Sequence, residues 1–313
     1  MPRILYFNFD NPRPSGGLRT IYTHVAHLVR SGLSAYVVHQ NAGFRPGWFQ
    51  EDVPKIYAQQ GLSIRPDDLL IIPEDHRVVL DGLKSVAVRK VIFCQNHFNI
   101  YIGLGQHRFW QDLGISKVFA SSEIIAGFLQ SKLGWPEVPV VHYALDRDLF
   151  KPWPKKLQVA YVPQKRPLEA EFICRLAAQD LGFPSDVTWA PIDRVNEAET
   201  ARIMGESAIF LSMNYLEGFG LPPVEAMAAG CVVVGNHGYG GMEYATPDNG
   251  FWCEEGNPLA CADALRQVVD LVRQGSPEVQ RRIDAAIVTA ARYTLQRQRS
   301  ELLAFIEGVL KGG

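Results

Sequence analysis

Seven residues separate Glu217 from Glu225 in the stretch SMNYLEGFGLPPVEAMAAGC, which runs from Ser212 to Cys231. An ionised carboxylate accepts through two oxygens, so such a pair suits the vicinal O–H donors of a ribose or a hexose. Gly218 and Gly220 punctuate a turn between them. Pro222 and Pro223 then stand where a helix can begin without needing their missing amide donors. A helix start behind a glycine turn presents backbone N–H groups and the positive end of the helix dipole, and both favour phosphate. The expected anion position is therefore near Phe219, Gly220 and Leu221, with Glu225 in the first helical turn. The plainer alternative makes Glu225 a helix-capping carboxylate and Glu217 a solvated loop residue.

The elements that must hold these residues are legible around them. Residues 208–213 form an apolar run of strand length, and residues 224–229 are small enough for a helix to lie close on a sheet. Gly230 ends that helix before a second apolar run at 231–234. This is a β-α-β unit of a parallel sheet. Similar punctuation recurs elsewhere. Gly16 and Gly17 follow the first apolar run and precede a helical pattern, which suits either a plain turn or a loop that approaches phosphate closely. Arg19, two residues on, is either a cation of the same site or a solvated helix charge. Lys165 and Arg166 follow the apolar run 157–162, at the carboxyl end of a parallel strand where ligands collect, and two cations there would offset a diphosphate. His97, in FCQNHFNIY, follows another strand with Asn99 and Tyr101 close by.

The stretch from Glu217 resembles the retaining glycosyltransferases of family 4, whose signature is Glu, seven residues, Glu. In that signature the first glutamate opens E-G-F-G-L-P and the second is followed by A-M-A-x-G. The likeness continues through Gly240-Gly241-Met242-Glu243 and Asn249-Gly250-Phe251, and is fainter at the amino-terminal glycines and at Asp146, Phe150 and Pro152. It implies an α/β GT-B fold, two Rossmann-like domains facing across a cleft. The expected boundaries are 1–148 for an acceptor domain and 149–313 for a donor domain, with a last helix near 294–310 packing back on the first. Carried over residue by residue, Glu225 holds the nucleotide ribose, Glu217 contacts the donor sugar, and the Gly218–Leu221 loop meets sugar and distal phosphate. Gly16 and Gly17 approach the diphosphate, Lys165 and Arg166 meet its charge, and His97 contacts the acceptor. Where related sequences read P-R-K this chain reads Pro163-Gln164-Lys165, which leaves open whether Arg166 shares that work. The implied activity is metal-independent, retaining transfer of a sugar from a nucleotide-diphosphate sugar to a hydroxyl of a glycan or other acceptor. A nucleotide-sugar epimerase or hydrolase of the same fold, or a non-catalytic sugar-nucleotide-binding subunit, are the alternatives.

Composition is compatible with that expectation and narrows it. With 313 residues and 47% hydrophobic content, the chain is long enough for two domains with substantial cores. Apolar runs alternate with helical patterns from residue 4 onward, pause at HYALDRDLFKPWPKK, and restart near residue 157, the mark of two α/β domains and a linker. A net charge of −2 leaves no footprint for nucleic acid. The first half is slightly positive, which allows weak peripheral contact with a membrane surface. No stretch has the length and apolarity of a transmembrane segment or a signal peptide. The five cysteines lack C-x-x-C spacing and read as reduced thiols, so a cytoplasmic location is expected. No metal or other cofactor is expected. Asp146-Arg147-Asp148 lies in the linker rather than at the end of a central strand and reads as structural, and His24 and His27, three apart on a helix, lack a partner ligand.

Overall fold

The computed structural model describes residues 2–180 and 182–311. It divides into two units, Met1–Ala144 with Leu295–Gly313, and Leu145–Thr294.

In the first unit the chain alternates β1 (Ile4–Phe7), α1 (Gly16–Arg30), β2 (Ala35–His39), β3 (Lys55–Tyr57), β4 (Leu69–Pro73), α2 (Arg77–Gly82), β5 (Arg89–Cys94), α3 (Ile100–Leu104), β6 (Lys117–Ala120) and α4 (Glu123–Leu133). The strands are parallel in the order β3-β2-β1-β4-β5-β6. A parallel sheet is covered on both faces, so its strands read as continuous apolar runs. Alternate side chains then enter different cores: Ile4, Tyr6, Ile71 and Phe93 join α1 on one face, while Leu5, Leu70, Ile72 and Ile92 pack on the other. Strand order reverses between β1 and β4.

The second unit alternates in the same way through β7 (Lys156–Tyr161), α5 (Pro167–Gln179), β8 (Thr188–Pro191), α6 (Glu197–Glu206), β9 (Ser207–Glu217), α7 (Leu221–Ala228), β10 (Val232–Tyr239), β11 (Phe251–Trp252), α8 (Pro258–Arg273) and α9 (Pro277–Ala290). Its parallel order is β11-β10-β9-β7-β8, with the reversal between β7 and β9. The last helix, α10 (Leu295–Lys311), belongs to the first unit. Leu302, Ile306 and Val309, at helical spacing, enter the core lined by Val25 and Leu28. Gln298 donates to the His142 carbonyl at 2.8 Å, and Arg89 donates to the Val309 carbonyl at 3.2 Å, near the end of the helix.

The basic, proline-rich stretch before β7 does more than connect. Asp146 accepts from the amides of Asp148 (3.0 Å) and Leu149 (3.2 Å), so its carboxylate closes a turn. Lys155 is drawn inward, where its ammonium donates to the Ala229 carbonyl at 2.6 Å and the Met204 carbonyl at 3.3 Å. Those carbonyls lie at the ends of α7 and α6, where a cation is favoured by the helix dipoles.

Candidate active site

Glu217 is the last residue of β9, and Lys165 ends a short 3-10 turn, Pro163–Lys165, directly after β7. Because β7 and β9 are the adjacent strands between which the order reverses, residues at their carboxyl ends meet at the point where open α/β sheets bind ligands. There the Lys165 ammonium and the Glu217 carboxylate form a direct ion pair, with side chains 39% and 17% exposed. Backbone strain is concentrated beside the glutamate. Leu216 and Tyr239 are held at φ 46° and 66°, and Tyr239 is the residue of β10 paired with Glu217. Side-chain-bearing residues rarely sit in that region unless the surroundings over-determine them.

The loop after Glu217 is equally constrained. Gly220 caps α7 at φ 86°, and a β-carbon there would fall on the Asn214 amide nitrogen. Tyr244 fixes the same residue by donating its hydroxyl to the Gly220 carbonyl at 2.7 Å. The Phe219 ring is 1% exposed and meets Tyr244 and Tyr293 edge-on, with centroids 5.1 and 4.9 Å away. What Phe219 can offer a ligand is thus its backbone. Gly240 presses on the Glu217 carbonyl and on the backbone of Gly218 and Phe219, leaving no room for a side chain.

The structure corrects one expectation. The helix starts at Leu221, so Pro222 and Pro223 lie inside it and Glu225 is its fifth residue, beyond the first turn. Prolines are accommodated there because the first N–H groups of a helix have no partner within it. Two of those donors are therefore missing, and the helix start offers an anion chiefly the amides of Gly220 and Leu221. Glu225 is 5% exposed.

Arg166 lies beside this cluster with its guanidinium taken up by protein groups. Its Nε donates to the Asn214 carbonyl at 2.8 Å, Nη1 to Glu169 at 2.9 Å, and Nη2 pairs with Glu255, while its face lies 4.7 Å from the Tyr215 ring centroid. Gln164 reaches Asp193. Lys165 is the more exposed of the two cations, at 39% against 4% for the arginine side chain.

In the first unit, Gly16 and Gly17 are the first two residues of α1, behind β1, and Ser15 caps the helix by accepting from the Leu18 amide at 3.4 Å. A β-carbon on Gly17 would lie 3.1 Å from the side-chain amide of Gln95, a tight approach. His97 opens a 3-10 turn after β5, 8% exposed, between the rings of Phe98 and Phe128 at 4.2 and 5.0 Å. Its Nδ1 has no hydrogen-bond partner among the described residues, and burial lowers its pKa, favouring a neutral imidazole.

Sequence reasoning passed over Glu74, which follows β4 and is 2% exposed. Its carboxylate accepts from the amides of Gln95 (2.9 Å) and Asn96 (2.8 Å), fixing the turn that carries His97. Burial is the main cause raising its pKa, to about 8. The available signal was a carboxylate directly after the apolar run LLIIP. It also passed over Glu255, whose partner Arg166 is remote in sequence.

Among the described residues, no three His, Cys, Asp or Glu side chains are grouped to hold a metal ion, and no helix is long and apolar enough to cross a membrane.

Two parallel sheets with alternating helices, built this way, make the GT-B fold of glycosyltransferases. Solved structures of that fold match along the chain. A glycosyltransferase from Rickettsia africae matches with TM-score 0.70 at 15% identity, covering 100% of this chain and 99% of that one. Sucrose-phosphate synthase from Thermosynechococcus elongatus gives 0.73 at 11%, covering 100% of both. The Anabaena protein HepE in complex with UDP-glucose gives 0.71 at 16%, covering 98% and 99%. Residues 174–285, which hold Glu217 and Glu225, match the family described as Glycosyl transferases group 1. An alpha-1,6-glucosyltransferase of Actinobacillus pleuropneumoniae serotype 7 is 25% identical over 277 residues, 85% of this chain and 83% of its own. The family match and the glucosyltransferase relative agree on one class, the glycosyltransferases, and the solved structures share its fold.

Proposed function

We propose that the protein is a metal-independent, retaining glycosyltransferase of the family 4 kind. It moves a sugar from a nucleotide-diphosphate sugar to a hydroxyl of a glycan or other acceptor, with the second unit holding the donor and the first presenting the acceptor. The observation that carries this reading is the Lys165–Glu217 pair beside the start of α7, at the reversal of strand order. Without ligand the two side chains neutralise one another. A donor exchanges that contact for two, its sugar hydroxyls at Glu217 and its distal phosphate at Lys165. Glu225 serves the ribose. As the anomeric C–O bond breaks, negative charge grows on the departing phosphate, where Lys165 and the amides of Gly220 and Leu221 stabilise it. That phosphate takes the acceptor proton, so the protein's part is positioning and electrostatics. UDP-glucose is the first donor to try, because HepE binds it and the Actinobacillus relative is named for glucosyl transfer. Glycan or polysaccharide assembly in the cytoplasm is the setting that suits this chemistry.

The test is a thermal-shift screen of nucleotides and sugar nucleotides with EDTA or with magnesium, followed by NMR of the products. Ligand at 100 times its dissociation constant stabilises by about 2.7 kcal/mol. Support would be a UDP or UDP-glucose shift that survives EDTA, and an α-glycoside formed from the α-linked donor. A sugar nucleotide altered without acceptor would identify an epimerase or hydrolase instead. Binding without turnover over a broad acceptor panel would identify a binding subunit, and a protein indifferent to every nucleotide would refute the donor site itself.

A further inference from the structure

Tyr239 closes β10 in a backbone conformation that costs the fold. Its φ of 66° and ψ of −56° fall in the strained γ-turn region, which a residue with a side chain rarely enters. The surroundings hold it there. Gly238 before it is fixed at φ 66°, and the Gly238 amide donates to Glu255 at 2.7 Å. The Tyr239 amide donates to His237 Nδ1 at 3.0 Å. Gly240 after it lies against the Glu217 carbonyl, with no room for a β-carbon. The ring gains little from this, for it is 42% exposed while Gly238, Gly240 and Gly241 are buried. An aromatic side chain set into water on a strained backbone is unfavourable on both counts, and that combination points to a ligand.

The position of Tyr239 says which part of a ligand it meets. Strands β7, β9 and β10 are adjacent, and past their carboxyl ends stand in turn Lys165, Glu217 and Tyr239, the last two paired in register. Neighbouring strands lie about 4.8 Å apart, so one molecule laid across the sheet end meets a cation, then a carboxylate, then an aromatic ring. A hexosyl diphosphate offers its groups in that order: phosphate, the hydroxyl edge of the sugar, and the C–H face of the sugar ring. Tyr215, two residues before Glu217, is also exposed, but its ring already carries the Arg166 guanidinium at 4.7 Å.

We propose that Tyr239 is a specificity-determining residue of the donor site, whose ring packs on the apolar C–H face of the donor's hexose. The inference rests on the donor site proposed above and adds a residue to it. Glu217 takes hydroxyls at the edge of the sugar while Tyr239 takes its face, so the two side chains together select a pyranose by polarity and by shape. The strained turn fixes the ring before the donor arrives, which spares the ordering cost of an aromatic side chain on binding. A nucleotide without a sugar does not reach Tyr239, and that separates this role from a structural one.

Calorimetry with UDP and with UDP-glucose on the full chain and three variants tests this, with melting measured alongside. Tyr239→Ala and Tyr239→Gly should each weaken UDP-glucose binding about fivefold to tenfold, the worth of one aromatic contact, and leave UDP within about twofold of wild type. Tyr239→Phe keeps the ring and should keep wild-type affinity for both. Glycine takes a positive φ without penalty, so Tyr239→Gly should melt above Tyr239→Ala, since both lack the ring. Equal or reversed melting would remove the strain that singles Tyr239 out and overturn the assignment. Unchanged UDP-glucose affinity in both ringless variants overturns it too, as does an equal loss for UDP, which would put the ring on the nucleotide or make its role structural. Wild-type protein that binds neither compound would defeat the donor site itself, whereas wild-type binding that Tyr239→Ala leaves unchanged defeats this inference alone.

Discussion

An ion pair as exposed as Lys165–Glu217 contributes little to stability, because water screens it and two long side chains must be ordered to make it. Its placement beside two strained residues is better explained by what it does for a ligand. Replacing Glu217 with Ala is therefore expected to leave melting nearly unchanged and nucleotide affinity close to wild type. Turnover should fall on the order of a hundredfold, as for loss of a group that meets the reacting sugar. Glu225→Ala should do the reverse. The ribose contact proposed for Glu225 would be made in the ground and transition states alike, so nucleotide affinity should drop about tenfold while saturated turnover persists. Calorimetry with UDP and steady-state kinetics on the same preparations check both. Equal effects of the two substitutions on affinity and turnover would contradict the division of roles. Arg166 behaves differently at this scale: buried and shared by Glu169, Glu255 and the Asn214 carbonyl, it ties α5, the segment after β11 and β9 together.

The element that matters most is the short helix α7 and its approach. Gly220 is fixed twice over, by a positive φ and by the Asn214 amide where a β-carbon would go. Gly43 offers a control, since its φ is 79° with open space around it. Gly43→Ala should cost about 1 kcal/mol from backbone strain alone. Gly220→Ala should cost about 2–4 kcal/mol, strain and a clash together, and should weaken UDP binding as well. Chemical denaturation of both variants measures the difference, and equal costs would show that the loop relaxes freely. The far end of the same helix depends on Lys155. Lys155→Met leaves the Ala229 and Met204 carbonyls without that donor and is expected to destabilise the second unit by about 1–3 kcal/mol.

For the whole molecule, the two units should respond differently to acid. Burial lowers the pKa of His24 to about 3 and of His27 and His76 to about 4, and all three lie in the first unit. A histidine whose folded pKa is depressed is neutral in the fold but takes a proton when unfolded near pH 6.5. Stability is therefore lost as pH falls from about 6.5 toward 4. Glu74 and Asp75, whose pKa values burial raises, act in the opposite sense over pH values above their unfolded range and reduce the net effect without cancelling three histidines. Hydrogen exchange at pH 7 and pH 5, corrected for intrinsic rates, should show β1 and β4 losing protection relative to β9 and β10. Protection of β1 and β4 that is equal or greater at pH 5 would count against this.

The amino-acid sequence by itself determined the alternation of strands and helices, the central strands, the glycine turn and the Glu217–Glu225 spacing. Central parallel strands are buried on both faces, so runs such as LLII and VVV are readable without any partner in view. The edge strands β3 and β8, half-exposed or exposed, left no such run and were passed over, as was the extension of β9 through Asn214 to Glu217, which pairing with β10 carries on across a bulge. Only the tertiary structure decided that Lys165 meets Glu217 and that Arg166 is shared by Glu255, far along the chain, and the Asn214 carbonyl. The reason is strand order: which strands become neighbours depends on how crossover helices cover the two faces, and side chains at strand ends find partners only after that arrangement is set.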